Sequence, residues 1–297
     1  SYDLSIYTYG PMMVAFYVFE YFEAYTGGIY EHTWGSLLGG HGVEIVGWGV
    51  EAGTKYWRVK NSWGPDWGED GFFSIVRGVD ECGIEMVGPY SFVTNTDSVS
   101  KCASWTTEEF SKILFDDIEV RGLPVLQDAP RNDLPTDFEV ADQWPECADR
   151  VNHIRDQGIC GSCWAHGAAE ALTDRVCINS EAAVNEDLSV EYIVSCDKTN
   201  MGCDGGNIGL AWMYLKNQGT VPDACFPYAD ETYNDGDVPA CPSTCDDGAA
   251  LTHYQVSAYH GVSGVDNIMT QLYDNGSLEL AFYVFEYFKD YTSGIYE

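Results

Sequence analysis

The last 22 residues of this chain repeat an earlier stretch of it. Residues 276–297, GSLELAFYVFEYFKDYTSGIYE, match residues 10–31, GPMMVAFYVFEYFEAYTGGIYE, at 15 of 22 positions with an offset of 266. The chain therefore begins and ends inside the same structural unit. Either it spans two tandem modules, or it is a permuted module with one segment present twice. The copies have diverged from each other, which favours tandem modules over a cloning artefact. A site built from both halves of the chain has to be assembled across that seam.

A chain of 297 residues is long enough for one large domain or two lobes. Hydrophobic content of 45% and aromatic content of 14% point to a globular fold. No apolar run reaches the ~18–20 residues that span a bilayer, so no membrane insertion is expected. No secretory leader is visible and the first residue is Ser1, which reads as a processed product or a piece of something longer. The balance of 47 Asp+Glu against 14 Lys+Arg leaves a formal charge of −33. Nothing in such a chain neutralises phosphates, so nucleic acid is not expected as a partner, and an anionic membrane surface is disfavoured for the same reason. The plain reading of the charge is solubility; the sharper one is a cation-rich setting or a polycationic partner. No DxDxDG run marks a calcium loop, and neither a metal nor an organic cofactor is expected.

Nine of the eleven cysteines fall between residues 147 and 245. That density suggests a disulfide framework and an oxidising compartment, whether secreted, extracellular or lysosome-like. The odd number in the cluster leaves one thiol without a local partner, a candidate nucleophile.

Residues 42–49 (GVEIVGWG), 55–60 (KYWRVK) and 72–77 (FFSIVR) are rich in β-branched and aromatic residues and separated by Gly and acidic turns, so they read as antiparallel strands. Residues 93–133 read as a linker, with room for one short helix in SWTTEEFSKILF; Cys102 lies within it. Beyond 134 helical spacing takes over, in 164–178, in 188–196 with a Ser suited to an N-cap, and in 209–219 ending in Gly219. From about 250 the pattern returns to strands.

Chemistry concentrates in QGICGSCW, residues 157–164. A Cys at the head of a helix meets the positive end of the helix dipole and unsatisfied N–H groups, which favour the thiolate. Its backbone N–H and a side-chain amide can together hold a tetrahedral oxyanion. Two further segments stand out: GGHGVEIVGWG (39–49) and KNSWGPDWGEDGFF (60–73).

Together these segments resemble the papain-like cysteine proteases, and within them the cathepsin B group. The resemblance covers almost everything except 93–133. It implies a nucleophile at Cys163, a general base and acid at His41, an imidazole-orienting amide at Asn61 and an oxyanion donor at Gln157. Trp63 would shield the His–Asn pair. GCDGG (202–206) resembles a substrate-pairing turn, which makes Gly205 and Gly206 substrate-binding candidates by strand addition. The resemblance also implies four disulfides: Cys147–Cys177, Cys160–Cys203, Cys196–Cys241 and Cys225–Cys245. Cys163 is then left out of the pairing, Cys82 matches a cysteine near the end of the cathepsin B pattern, and Cys102 has no assigned partner.

The chain also departs from that pattern. The stretch between Cys225 and Cys241 is short and holds no His, where cathepsin B has a long loop whose paired histidines bind the substrate's C-terminal carboxylate. Endopeptidase activity is therefore expected rather than dipeptide trimming. His166 stands where the family has Phe, which reads as a polar variant of a packing position. Asn275-Gly276-Ser277 forms a glycosylation sequon. Above all, His41 and Asn61 precede Cys163, the reverse of the family's order.

The fold implied is α+β and two-lobed, with a helical Cys lobe and an antiparallel, β-barrel-like His lobe. Residues 1–92 read as the C-terminal His/Asn part of one module and 93–133 as a linker or shortened propeptide. Residues 134–249 read as a Cys lobe, and 250–297 as the truncated start of a second His lobe. Forty-one linker residues reach over ~130 Å when extended, so the two halves can meet within one chain. The function implied is cysteine-type hydrolysis of peptide or protein substrates. The alternative is an acidic assembly protein whose halves exchange head to tail between chains and build a filament.

Overall fold

The computed structural model describes residues 16–19, 27–31, 37–85, 90–94, 131–261 and 264–282. The linker with Cys102 and its expected short helix therefore lies largely outside the described residues, as do most of the first repeat copy and residues 283–297 of the second.

The architecture is α+β, with a helical part and a sheet part. Nine strands are described: β1 (Phe16–Phe19), β2 (Ile29–Tyr30), β3 (Leu37–Glu51), β4 (Thr54–Lys60), β5 (Phe72–Val76), β6 (Tyr90–Thr94), β7 (Phe138–Glu139), β8 (Ser257–Gly261) and β9 (Leu278–Phe282). Seven of them form one sheet in the order β1-β9-β3-β4-β5-β2, with β7 added to β3; β6 and β8 pair separately. The β9–β3, β3–β4 and β4–β5 pairings are antiparallel, as expected of this lobe, while β1–β9 and β2–β5 are parallel, so the sheet as a whole is mixed. Val43, Ile45 and Trp48 of β3 and Trp57 and Val59 of β4 are buried in one core. The register of β3 slips between Ile45 and Gly47. There β7 crosses so closely that a Cβ on Gly47 would sit 2.2 Å from the Phe138 carbonyl oxygen, which is why glycine stands at that position.

Four helices matter for the site: α1 (Cys163–Asn179), α2 (Val190–Cys196), α3 (Ile208–Asn217) and α4 (Val265–Asn275). Helix α1 is buried nearly all round, so it is the central post of the molecule and not an amphipathic surface helix. Its alanines let β3, β9 and α3 approach closely. Ser189 caps α2 by accepting from the Tyr192 N–H at 2.9 Å, and α3 closes on Gly219 at φ +76°. Helix α4 occupies residues where strands were expected. Ile268 and Leu272, one turn apart, are both fully buried, and this helical spacing sets the conformation.

The repeat has a structural outcome. Strand β9, from the second copy, pairs with β3 from Ile45 back to His41. Strand β1, from the first copy, pairs with β3 from His41 back to Leu37. Phe282 and Phe16, both opposite His41, also pair with each other. They are the same position in the two copies. The copies therefore do not exclude one another on β3: each supplies half of one strand's pairing, and they hand over at equivalent residues.

Candidate active site

Strand β3 carries His41, which is 4% exposed. Asn61 follows the end of β4 and is fully buried; its Oδ1 lies 2.7 Å from His41 Nε2. A carboxamide oxygen only accepts, so the proton of this bond sits on Nε2 and Nδ1 is left as the acceptor. The Trp63 ring lies 4.9 Å from the imidazole, centroid to centroid, and Trp67 packs edge-on against Trp63. Asn61 is held in turn by its own loop, since its Oδ1 also accepts from the Ser62 N–H at 2.9 Å and its N–H donates to the Gly71 carbonyl.

The Cys half is built around α1. Cys163 is the first residue of that helix, buried, and outside the disulfides, as is Cys82. Four disulfides are present among the described residues: Cys147–Cys177, Cys160–Cys203, Cys196–Cys241 and Cys225–Cys245. The second ties the loop before Cys163 to the GCDGG turn, where the Gly161 N–H also donates to the Cys203 carbonyl. That turn packs on Trp164: a Cβ on Gly206 would meet the indole at 2.3 Å, and Trp164 Nε1 donates to the Gly202 carbonyl. Gly205 has φ +107°, a conformation that favours glycine. Gly205 and Gly206 thus lie beside the residue that follows Cys163.

The two halves meet within one chain. The Gln157 N–H donates to the Ser62 carbonyl at 3.1 Å, and the Gly64 N–H donates to the Arg155 carbonyl at 3.2 Å. Ser62 Oγ donates to Gln157 Oε1 at 2.7 Å, while Gln157 Nε2 donates to the Cys160 carbonyl at 2.9 Å. Helix α1 packs against β3 and β9. Ser62 was not singled out in the sequence, although it sits inside the NSW motif between two residues that were.

Behind Cys163 lies a buried charged cluster that the sequence did not announce. Lys60 Nζ is 3.0 Å from Glu44, and both are at most 1% exposed. Burial alone would push the Lys60 ammonium down, but Glu44, Glu170 and Asp174 hold it above its ordinary value. Burial, reinforced by neighbouring carboxylates, pushes Glu44, Glu170 and Glu279 upward. Glu279 enters through a gap at Gly167, where a Cβ would stand 2.6 Å from its Cγ. It comes from the second repeat copy; the first has Met13 at that position. The sequon's Ser277 is fully buried, and its hydroxyl donates to Asp174.

Burial also keeps Cys82 a thiol, its value raised further by Glu81. Among the described residues no group of three or more His, Cys, Asp or Glu side chains is placed to hold a metal ion, and no helix is long and apolar enough to cross a membrane.

A cysteine thus heads a buried helix that packs on a sheet beside a hydrogen-bonded His–Asn pair. The chain belongs to the papain family of cysteine proteases: the family model matches residues 2–92 and 134–297. Cathepsin B of Dictyostelium discoideum is 36% identical over 175 residues, covering 55% of each chain. Cathepsin B-like cysteine proteinase 5 of Caenorhabditis elegans is 38% identical over 196 residues, covering 55% of this chain and 56% of that one. The chain thus spans about half the length of these curated relatives. Among solved structures, procathepsin B S9 from Trypanosoma congolense is 28% identical, covers 61% of this chain and 57% of that one, and superposes with a TM-score of 0.47.

Proposed function

We propose that this chain is a cysteine endopeptidase that hydrolyses peptide or protein substrates. The observation that carries the reading is the 2.7 Å His41–Asn61 hydrogen bond, under Trp63, on the sheet that packs against the Cys163 helix. Residues 1–92 supply the His/Asn part and 134–249 the Cys part of one catalytic unit, with 93–133 joining them. Residues 250–297 begin a second His lobe and lend β9 to the first.

In this reading Asn61 holds the imidazole with its Nδ1 lone pair available for the Cys163 thiol proton. The thiolate attacks the substrate carbonyl, and the negative charge passes to the carbonyl oxygen. The Cys163 N–H and the Gln157 amide donate to that oxygen. The imidazolium returns its proton to the leaving amine, which departs and leaves a thioester on Cys163. Water then adds to the thioester, with His41 again taking a proton, and releases the acid. Gly205 and Gly206 pair with extended substrate backbone. Trp63 keeps bulk water off the His–Asn pair.

The loop from Cys225 to Cys241 supports endopeptidase action. Tyr233 of this loop accepts from the Ile159 N–H at 3.1 Å, so the loop lies down on the oxyanion segment, and it carries no His. The four disulfides fit a secreted, extracellular or lysosome-like setting. Packing of α1 on β3 and β9 within one chain supports a site completed without head-to-tail exchange.

An internally quenched peptide blocked at both ends tests the reading. Cleavage by the wild-type chain that is lost in Cys163→Ala is the expected result. Release of C-terminal dipeptides alone would overturn the endopeptidase part, and no cleavage of any peptide would overturn the whole.

A further inference from the structure

A pocket of about 380 Å3 takes Asp156, the neighbour of Gln157, into its wall, and Cys163, His41 and Trp63 take no part in its lining. His166, Tyr228 and Tyr233 form part of its wall, with Asp156, Asp223 and Asp230 around them. His166 is 1% exposed. Its Nδ1 lies 3.1 Å from the Ser162 carbonyl oxygen. A carbonyl only accepts, so the ring proton is on Nδ1 and Nε2 presents a lone pair. That nitrogen makes no hydrogen bond among the described residues. Burial holds the imidazole neutral, pushed down to about 3.

The remaining polar groups also accept. The two basic side chains in the wall hydrogen-bond elsewhere: His153 Nδ1 lies 3.0 Å from Asp187, and Arg155 donates to the Leu188 carbonyl and reaches Asp187 at 3.4 Å. Asp156 is occupied by the Tyr233 hydroxyl and the Gly158 N–H, each at 2.8 Å. The Asp223 and Asp230 carboxylates make no hydrogen bond or ion pair among the described residues. Burial, only partly offset by the Arg155 charge, pushes the Asp223 carboxyl upward.

We propose that this pocket binds a small organic cation, an alkyl ammonium or guanidinium. Two carboxylates and a neutral imidazole lone pair accept from its N–H donors, and the Tyr228 and Tyr233 rings offer faces to its charge. Its volume suits a ligand the size of a basic side chain. Tyr228 connects the pocket to the active site. Its hydroxyl donates to the Gln157 carbonyl at 3.3 Å and lies 2.7 Å from Ser162 Oγ. A bound cation would therefore bear directly on the segment that aims the oxyanion donors.

The test is calorimetric titration of the Cys163→Ala chain with agmatine at about 0.15 M salt, a concentration that screens the general attraction of an acidic surface. Saturable binding is expected, with 1,4-butanediol inert. Affinity should fall at least about tenfold in Asp223→Asn plus Asp230→Asn. It should be unchanged in Asp149→Asn plus Asp246→Asn, which removes the same charge from exposed positions elsewhere. Equal melting temperatures show that the variants fold. No saturation by about 10 mM agmatine, or equal weakening in both double variants, would overturn the proposal. Two sources of the cation are then separated by competition. A peptide with arginine after the cleavage site displaces agmatine if the pocket reads substrate, and leaves it bound if the pocket takes a free amine.

Discussion

Ser62 Oγ donates a 2.7 Å hydrogen bond to Gln157 Oε1 across 95 residues of chain. One partner sits next to the imidazole-holding Asn61, the other in the loop that leads to Cys163. The bond fixes the Gln157 carboxamide, whose nitrogen donates to the Cys160 carbonyl at 2.9 Å. Ser62→Ala leaves Oε1 a buried acceptor without this donor, a loss of about 1 kcal/mol. We expect kcat/KM to fall about fivefold, with KM little changed, in steady-state assays of the quenched peptide. An unchanged kcat/KM would remove Gln157 orientation from the mechanism.

Thiol chemistry should separate Cys163 from Cys82. Burial and Glu81 keep the Cys82 thiol protonated, while Cys163 heads a helix. Iodoacetamide at neutral pH should modify the native chain rapidly, and peptide mapping should place the label on Cys163. Cys163→Ala should lose the fast phase and at least about a thousandfold of the peptidase rate. Rapid labelling of Cys82 would contradict its buried, protonated state.

Glu279 should make stability fall as pH rises. Burial first, then the charges of Cys163, Glu44 and Glu170, raise its carboxyl well above the ordinary range. The native state keeps a proton that the unfolded chain gives up above about 4.3. The contribution is thus fully present below about 4.3 and is lost as pH climbs toward the folded value. Glu279→Gln removes that loss. The difference in Tm between variant and wild type should move in the variant's favour from about pH 4 to about pH 7. A flat difference would mean that Glu279 does not titrate differently in the folded chain.

His166 should act in the opposite sense. Burial is the main cause holding its imidazole down at about 3, against about 6.5 in an unfolded chain. The unfolded state takes up the proton first, so stability is complete above about 6.5 and declines as pH falls toward 3. His166→Phe loses the bond to the Ser162 carbonyl at every pH, a constant cost. Only the slope is diagnostic: the variant should gain on wild type as pH drops from about 7 to about 4. Parallel Tm curves would contradict a buried neutral His166.

Gly158 should not tolerate a side chain. It has φ +59°, and a Cβ there would lie 1.9 Å from the Tyr233 carbonyl oxygen. Gly158→Ala should push the 229–235 segment off the 157–160 loop at a cost of about 1–3 kcal/mol. Faster amide exchange at Ile159, whose N–H donates to that carbonyl, is the local readout. Exchange unchanged from wild type would show that the loop does not rest on Gly158.

Sequence alone was enough for the components. The strands of β3, β4 and β5 and the helix after Cys163 announce themselves through local pattern, because their residues carry the period of the element they form. Cys163, His41, Asn61 and Gln157 could be singled out as candidates because a motif is a run of neighbours along the chain. What pattern could not give was any relation between distant segments. Helix α4 was missed because a short apolar pattern does not distinguish helix from strand until Ile268 and Leu272 find a shared core. Ser62, the Glu44–Lys60 pair and Glu279 have meaning only once α1 lies on β3 and β9. The repeat was the first thing visible and the last to be understood. In sequence the two copies are one segment present twice. Tertiary packing divides one place between them at Phe16 and Phe282, because backbone hydrogen bonding along β3 accepts either copy, residue by residue, on each side of His41.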